Sequence, residues 1–237
     1  MGLMKTRETE DEAWEQYQAM EAEIYDEVYY RGNTLVSYVN NAGHRLAEAL
    51  VPSAHSFAKV LEVGAGTGVH FEFVKHRFGS YYLTDISEDR LRIARARHGG
   101  RLGLRFDIAD ATALKYDDDS FDRLISIYNL EHLPHPHRVL REWRRVVRPG
   151  GLISVAIPLD GGVAWRLGRH LTTRRAFARK GIDLGYVIAR EHINPSYNLI
   201  ALIRHYFPLV RERYFPFRIP MIDPNLVYVA QVTVADK

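Results

Sequence analysis

A chain of 237 residues has enough material for one sizeable α/β domain, and 46% hydrophobic with 26% charged residues is ordinary for a globular protein. It contains no cysteine, which excludes disulfide frameworks, iron–sulfur clusters, zinc–cysteine sites and any thiol nucleophile. The net charge of +3 is small but unevenly spread: Glu8, Glu10, Asp11, Glu12, Glu15, Glu21, Glu23, Asp26 and Glu27 make the start acidic, whereas Arg166, Arg169, Arg174, Arg175, Arg179 and Lys180 form a later basic run. Solvated helix faces account for such runs, and an acidic or phosphorylated partner is the other reading of the basic one. The polar start has no apolar core of a signal peptide, and no apolar run approaches the ~20 residues that cross a bilayer, so a cytoplasmic location without membrane insertion is expected.

In chain order, residues 1–52 read as a helical N-terminal cap. Ala13, Tyr17, Met20, Ile24 and Val28 recur at helical spacing, as do Leu35, Val39, Leu46 and Leu50, with Asn33 as the N-cap between the two helices. Residues 59–63 form a short apolar strand, followed by Gly64-Ala65-Gly66-Thr67-Gly68 and a helical stripe of Phe71, Val74 and Phe78. Residues 81–84 make a second strand ended by Asp85, and Ser87 caps a helix whose first turn is acidic and whose later turns carry arginine. Further strands are expected at 102–106, 121–127 and 152–157, with a helix from about His137 to Val147 and a turn at Pro149-Gly150-Gly151. This βαβ alternation predicts a doubly wound, mostly parallel sheet with helices on both faces. Residues 159–206 interrupt the rhythm as a helical insertion that covers the substrate side. Strands at 209–215 and 226–234 then add an antiparallel C-terminal hairpin, making seven strands in one domain over 1–237.

The candidate site starts at the glycine loop. Between a strand and a helix, glycines let backbone N–H groups approach a bound cofactor, and Asp85 at the end of the next strand can accept both hydroxyl protons of a ribose. The loop closes as G-x-G-x-G, one residue shorter than the nicotinamide fingerprint, and it lacks the lysine of a nucleoside-triphosphate loop. No tyrosine is followed four residues later by lysine, which removes the short-chain dehydrogenase arrangement.

Residues 60–158 resemble a class I S-adenosylmethionine-dependent methyltransferase of the small-molecule type that includes quinone-biosynthesis enzymes. The resemblance rests on Glu62 to Gly68, Asp85, Asp110-Ala111, Ser120-Phe121-Asp122, Asn129-Leu130-Glu131-His132 and Arg148-Pro149-Gly150-Gly151. It implies a Rossmann-like fold, S-adenosylmethionine as cofactor and S-adenosylhomocysteine as product. It further implies that Gly64, Ala65, Gly66 and Gly68 carry the methionine and ribose portion, with Glu62 near the amino group. Asp85 would take the ribose hydroxyls, Ile86 would pack on adenine, Asp110 and the Ala111 backbone would meet its amine, and Asn129 and Leu130 would line the methionine portion. Asp107 stands close enough to Asp110 to be the matching residue instead.

His132 is the candidate base, the other reading being a structural histidine bonded to a backbone carbonyl. His132, His135 and His137 are interrupted by prolines, so no metal is expected. His192 lies before the last helix, where a cap at Asn194 is the plainer reading. Tyr25, Tyr29, Trp165, His192 and Tyr197 are candidate substrate contacts, although the N-terminal tyrosines also suit simple packing. The expected reaction is direct transfer to oxygen or nitrogen of a small metabolite, an apolar or aromatic one carrying an acidic group, such as a phenol, a quinone precursor or a natural-product scaffold. Without cysteine the covalent route of pyrimidine C5 transfer is closed, and the run after the fourth strand is not that of amino-adenine enzymes, so DNA is not expected as partner. A cofactor-binding partner subunit without its own catalysis is the alternative function, and the sequence leaves oligomeric state open.

Overall fold

The computed structural model describes residues 14–15, 17–18, 30 and 34–236, except 180 and 209. Most of the first expected helix, with Tyr25 and Tyr29, therefore lies outside the described residues. Helix α1 (Leu35–Ala49) begins at Thr34 and not at Asn33. Thr34 and Ser37 close a reciprocal capping box, which satisfies two of the helix's orphan donors at once.

The sheet strands are β1 (Ser56–Val63), β2 (Arg77–Asp85), β3 (Leu104–Ile108), β4 (Phe121–Ile127), β5 (Val147–Pro158), β6 (Val210–Phe215) and β7 (Val227–Thr233). They lie in the order β3-β2-β1-β4-β5-β7-β6. All pairs are parallel except those made by β7, which runs antiparallel to both β5 and β6. The remaining helices are α2 (Glu88–His98), α3 (Pro136–Val146), α4 (Val163–Leu171), α5 (Thr173–Ala178), α6 (Leu184–Glu191) and α7 (Ser196–Tyr206).

Successive strand residues enter opposite cores, as the pleat requires. Leu61, Leu124, Val155 and Ala230 pack with Leu140 and Trp143 of α3 and with Leu199 and Ile203 of α7. Their neighbours Val60, Ile125, Ala156 and Val229 pack on the other face with Ala47 of α1 and Ala94 of α2.

Three expectations about local structure are corrected. The helix after the glycine loop is a single 3₁₀ turn (His70–Phe73), and Phe78 belongs to β2. Only residues 69–76 separate the loop from β2, they are mostly aromatic or β-branched, and no side chain caps the turn, so nothing favours a longer helix. The turn expected at Pro149-Gly150-Gly151 is instead an irregularity inside β5, where pairing jumps from Phe121–Val147 to Arg123–Leu152. Asn194 does not cap α7, whose N-cap residue is Pro195. Its side-chain amide instead donates to the carbonyls of Leu130, Glu131 and Leu133, tying the chain before α7 to the segment after β4.

Candidate active site

Two cavities open at the carboxyl ends of the strands. The larger, about 680 Å³, lies where the strand order reverses between β1 and β4, the usual place for a ligand in an open α/β sheet. The glycine loop, Asp85, Ile86, Asp110, Ala111 and Asn129 line it. Asp85, only 6% exposed, accepts from the backbone N–H of Gly66 at 2.9 Å and of Ser87 at 2.9 Å, one on each carboxylate oxygen. The acid thus ties the loop to the start of α2 while keeping lone pairs for a ligand. Gly64 adopts φ +72°, and a Cβ there would sit 2.2 Å from Cγ of Asn129. Gly64→Ala is therefore expected to lose about 1–3 kcal/mol of stability, measured by thermal unfolding, together with ligand binding at the loop.

Glu62 is buried, and burial raises its pKa. It accepts from the Tyr81 hydroxyl at 2.6 Å. Ile86 is 73% exposed at the cavity edge, an apolar face offered to a flat ring. One Asp110 oxygen accepts from the N–H and hydroxyl of Thr112, which together hold the carboxyl below its usual range. Asp107 is instead engaged by the Tyr116 hydroxyl at 3.0 Å, away from the residues lining the cavity. Two residues expected at the ligand are placed elsewhere. Leu130 is fully buried among core side chains, and Gly68 turns the loop against α2, its carbonyl accepting from Nε2 of His98 at 2.9 Å.

The second cavity lies under the 159–206 segment and is largely apolar. Leu35, Val36 and Val39 of α1, Trp165 and Arg169 of α4, and Leu184, Val187 and Ile188 of α6 form its walls. Among the expected substrate residues, Trp165 and His192 line it, whereas Tyr197 is 61% exposed and lines neither cavity. Tyr30, Tyr128, His132 and Glu191 line both cavities, and so mark their junction.

His132 makes the backbone bond expected of a structural histidine. Its Nδ1 is 3.1 Å from the Glu191 carbonyl, which can only accept, so the proton resides on Nδ1 and Nε2 keeps its lone pair. Burial and the neighbouring His192 hold its pKa down to about 3, so the ring is neutral at physiological pH. His192 stands edge-on to it, 4.8 Å between ring centres, and bonds through Nδ1 to Asp160 at 2.8 Å. Adjacent Glu131 is 1% exposed, and burial pushes its pKa up to about 8. His135 and His137 contact each other and not His132.

Several of these residues escape a reading of the sequence. Tyr128 is held at φ +53°, with its hydroxyl donating to the Asn40 carbonyl at 3.0 Å. Gly43 makes room for it, since a Cβ there would lie 2.3 Å from that hydroxyl oxygen. Nothing in the pattern announces Asp160 or Glu191, because each acts only through a partner from a distant segment.

The family model for a methyltransferase domain matches residues 61–155. The chain is 34% identical over 155 residues to the methyltransferase GfsG of Streptomyces halstedii, an alignment covering 62% of this chain and 55% of that protein. This chain thus spans little more than half the length of that relative. It is 28% identical over 214 residues to the ubiquinone/menaquinone biosynthesis C-methyltransferase UbiE of Bordetella avium, covering 82% and 81% of the two chains. Among solved structures, the phosphoethanolamine N-methyltransferase 2 of Haemonchus contortus, in complex with S-adenosyl-L-methionine, shares the fold with a TM-score of 0.63 at 13% identity. That alignment covers 93% of this chain and 58% of that one.

Proposed function

We propose that the chain is a class I S-adenosylmethionine-dependent methyltransferase that transfers a methyl group to a small molecule held in the cavity beneath residues 159–206. The observation that carries this reading is the junction of two cavities at one neutral histidine. A cavity lined by the glycine loop and the carboxylates Glu62, Asp85 and Asp110 suits the cofactor, a more apolar one suits the acceptor, and His132 borders both.

The residues of the larger cavity fit S-adenosylmethionine. Glu62, buried at the wall of this cavity with the Tyr81 hydroxyl bonded to it, suits an ammonium group. Asp85 suits vicinal hydroxyls, the exposed face of Ile86 suits a purine, and the free edge of Asp110 suits an exocyclic amine. When bound, the cofactor supplies a methyl group on a sulfonium, transferred without its electron pair as the sulfur becomes a thioether. The chain's own residues then align the acceptor, exclude water through the walls of α1, α4 and α6, and receive a proton at Nε2 of His132. No helix among the described residues is long and apolar enough to cross a membrane. The Bordetella relative is named a C-methyltransferase, so mass and NMR analysis of the product decides among oxygen, nitrogen and carbon acceptors.

Calorimetric titration tests the cofactor half of this reading. The wild type is expected to bind S-adenosylmethionine but not NAD. Asp85→Ala loses hydrogen bonds to a charged group as well as the tie between the loop and Ser87, and is expected to bind about 10- to 100-fold more weakly. Unchanged affinity in that variant would remove Asp85 from the site.

A further inference from the structure

We propose that the protein docks peripherally on an anionic lipid surface, through a face built by α4, the β6–β7 loop and the start of α1. This goes beyond the methyl-transfer reading and does not rest on it. Helix α4 has two sides. Trp165, Gly168 and Arg169 line the acceptor cavity, whereas Val163, Leu167 and Leu171, four residues apart, are each more than half exposed. No residue of α4 is fully buried, so packing does not account for its apolar stripe. The β6–β7 loop presents a second apolar edge, in which Phe217 and Met221 are more than half exposed and Ile219 stands exposed between them. Buried Asn225 holds this loop in shape. It accepts from the Phe217 N–H at 2.9 Å and donates to the carbonyls of Ile219 at 3.0 Å and Met221 at 2.7 Å. The two edges adjoin, because Asp223 of the loop accepts from the N–H of Val163 through its carboxylate, at 3.4 Å, and from that of Ala164 through its carbonyl, at 2.8 Å. Exposed Tyr38 of α1 reaches Phe215 at the root of the same loop, 5.9 Å between ring centres.

Single exposed apolar side chains are ordinary, but a contiguous group of them marks a binding surface. Its charge selects the occupant. Arg166 neighbours Val163 and Leu167 on α4, Arg218 stands between Phe217 and Ile219, and both are exposed. Arg174, Arg175 and Arg179 are exposed further along, and residues 161–182 hold no acid. The acid at the junction is Asp223, whose carboxylate is engaged by Val163. Apolar tips bordered by arginine match a bilayer of anionic lipid, which supplies phosphates for the guanidinium groups and acyl chains for the tips. Nucleic acid offers the phosphates without the apolar phase. A second copy of this face would set arginine against arginine. No described helix is long and apolar enough to cross a bilayer, so the contact is with its surface. Leu35, exposed one turn before Tyr38, also lines the acceptor cavity, so docking would bring that cavity beside the lipid.

Flotation of the full chain with vesicles is the test, using phosphatidylcholine alone and phosphatidylcholine mixed equally with phosphatidylglycerol. The wild type is expected to bind the anionic vesicles about tenfold more tightly than the neutral ones, and to leave them as salt is raised. The double variant Leu167→Gln/Phe217→Gln keeps the charge and should bind the anionic vesicles about 10- to 100-fold more weakly. Arg166→Gln/Arg218→Gln keeps the apolar tips and should shrink the preference for anionic lipid. All four side chains are exposed, so the thermal midpoints of both variants should match the wild type and report that they are folded. The wild-type comparison of the two lipids needs no variant. Wild-type protein that floats with neither vesicle, or equally with both, overturns the inference. So does binding unaffected by Leu167→Gln/Phe217→Gln, or a lipid preference untouched by Arg166→Gln/Arg218→Gln. Sedimentation equilibrium that finds a dimer dissociated by Leu167→Gln/Phe217→Gln, with no flotation of the wild type, would assign the face to a second copy and overturn it as well. Affinity for S-adenosylmethionine, measured separately, bears on the methyl-transfer reading alone and should be unchanged in both variants.

Discussion

Replacing Arg123 by methionine is expected to remove about 3–5 kcal/mol of stability, because a buried charge pair would be broken on one side only. Arg123 of β4 is fully buried, with Nη2 at 2.6 Å from Oε1 of Glu48 and 3.3 Å from the Ser154 hydroxyl. Glu48 also receives His70 at 3.2 Å, and His70 in turn meets His44 at 3.0 Å through their Nδ1 atoms. Burial opposes ionisation of Glu48, but the bonds from His70 and Arg123 prevail and hold it down to about 2. Without the guanidinium, that buried carboxylate would be left with only the histidines His70 and His76 beside it. For a chain of this size the loss corresponds to a fall of about 6–20 °C in the thermal midpoint. The double variant Arg123→Met/Glu48→Leu, which removes both charges, is expected to be more stable than Arg123→Met alone. Equal instability of the two would show that packing, and not the stranded carboxylate, sets the loss.

The same cluster predicts acid lability, and the sign follows from its shifts. Burial lowers His44 and His76, the latter to about 4, so both are neutral in the fold but protonate when the chain unfolds. Their contribution is lost as pH falls from their unfolded value of about 6.5 toward the folded ones. Glu48, depressed to about 2, adds a further loss below its unfolded value, about 4.3. The thermal midpoint is therefore expected to fall more steeply between pH 4.5 and pH 3 in the wild type than in the double variant, which lacks Glu48.

The second large effect concerns turnover. His132→Gln keeps a polar side chain but removes the basic nitrogen at the junction of the cavities. It is expected to lower kcat about 10²- to 10⁴-fold, the usual contribution of a positioned base. Affinity for S-adenosylmethionine should change little, since the loop and Asp85 are untouched. Because His132 is held to about 3, the wild-type rate should show no acid limb near the ordinary histidine pKa, and the profile from pH 5 to 7 should be flat. A limb near 6.5 that vanishes in His132→Gln would show an ordinary histidine pKa in solution. Undiminished turnover would remove His132 as the base.

The parts of this protein that were legible in sequence are those whose cause is local. The strand β4 over 121–127, the cap at Ser87 and the antiparallel end strands follow from alternation, capping chemistry and the absence of a helix between two strands. The glycine loop followed by Asp85 is local in the same sense, since a chain turning sharply out of a strand needs positive φ at fixed positions, here Gly64, Gly66 and Gly68. Boundaries set by pairing were less legible. Nothing at residues 147–151 says that they continue β5, because only the neighbouring β4 makes that stretch a strand.

The acceptor side was least legible of all. His132 and His192 could be named from their chemistry, but their protonation states could not, since these depend on Glu191 and Asp160, 59 and 32 residues away in the chain. Tyr197 was expected inside and lies outside, while Glu131 and Tyr128 line the cavity without any pattern in the sequence to announce them. Sequence by itself thus determined the fold and placed the glycine loop and Asp85, because propensity, periodicity and turn geometry act over a few residues. Only the tertiary structure decided which side chains share the acceptor cavity and what charge each carries, because burial and partners across the chain set both.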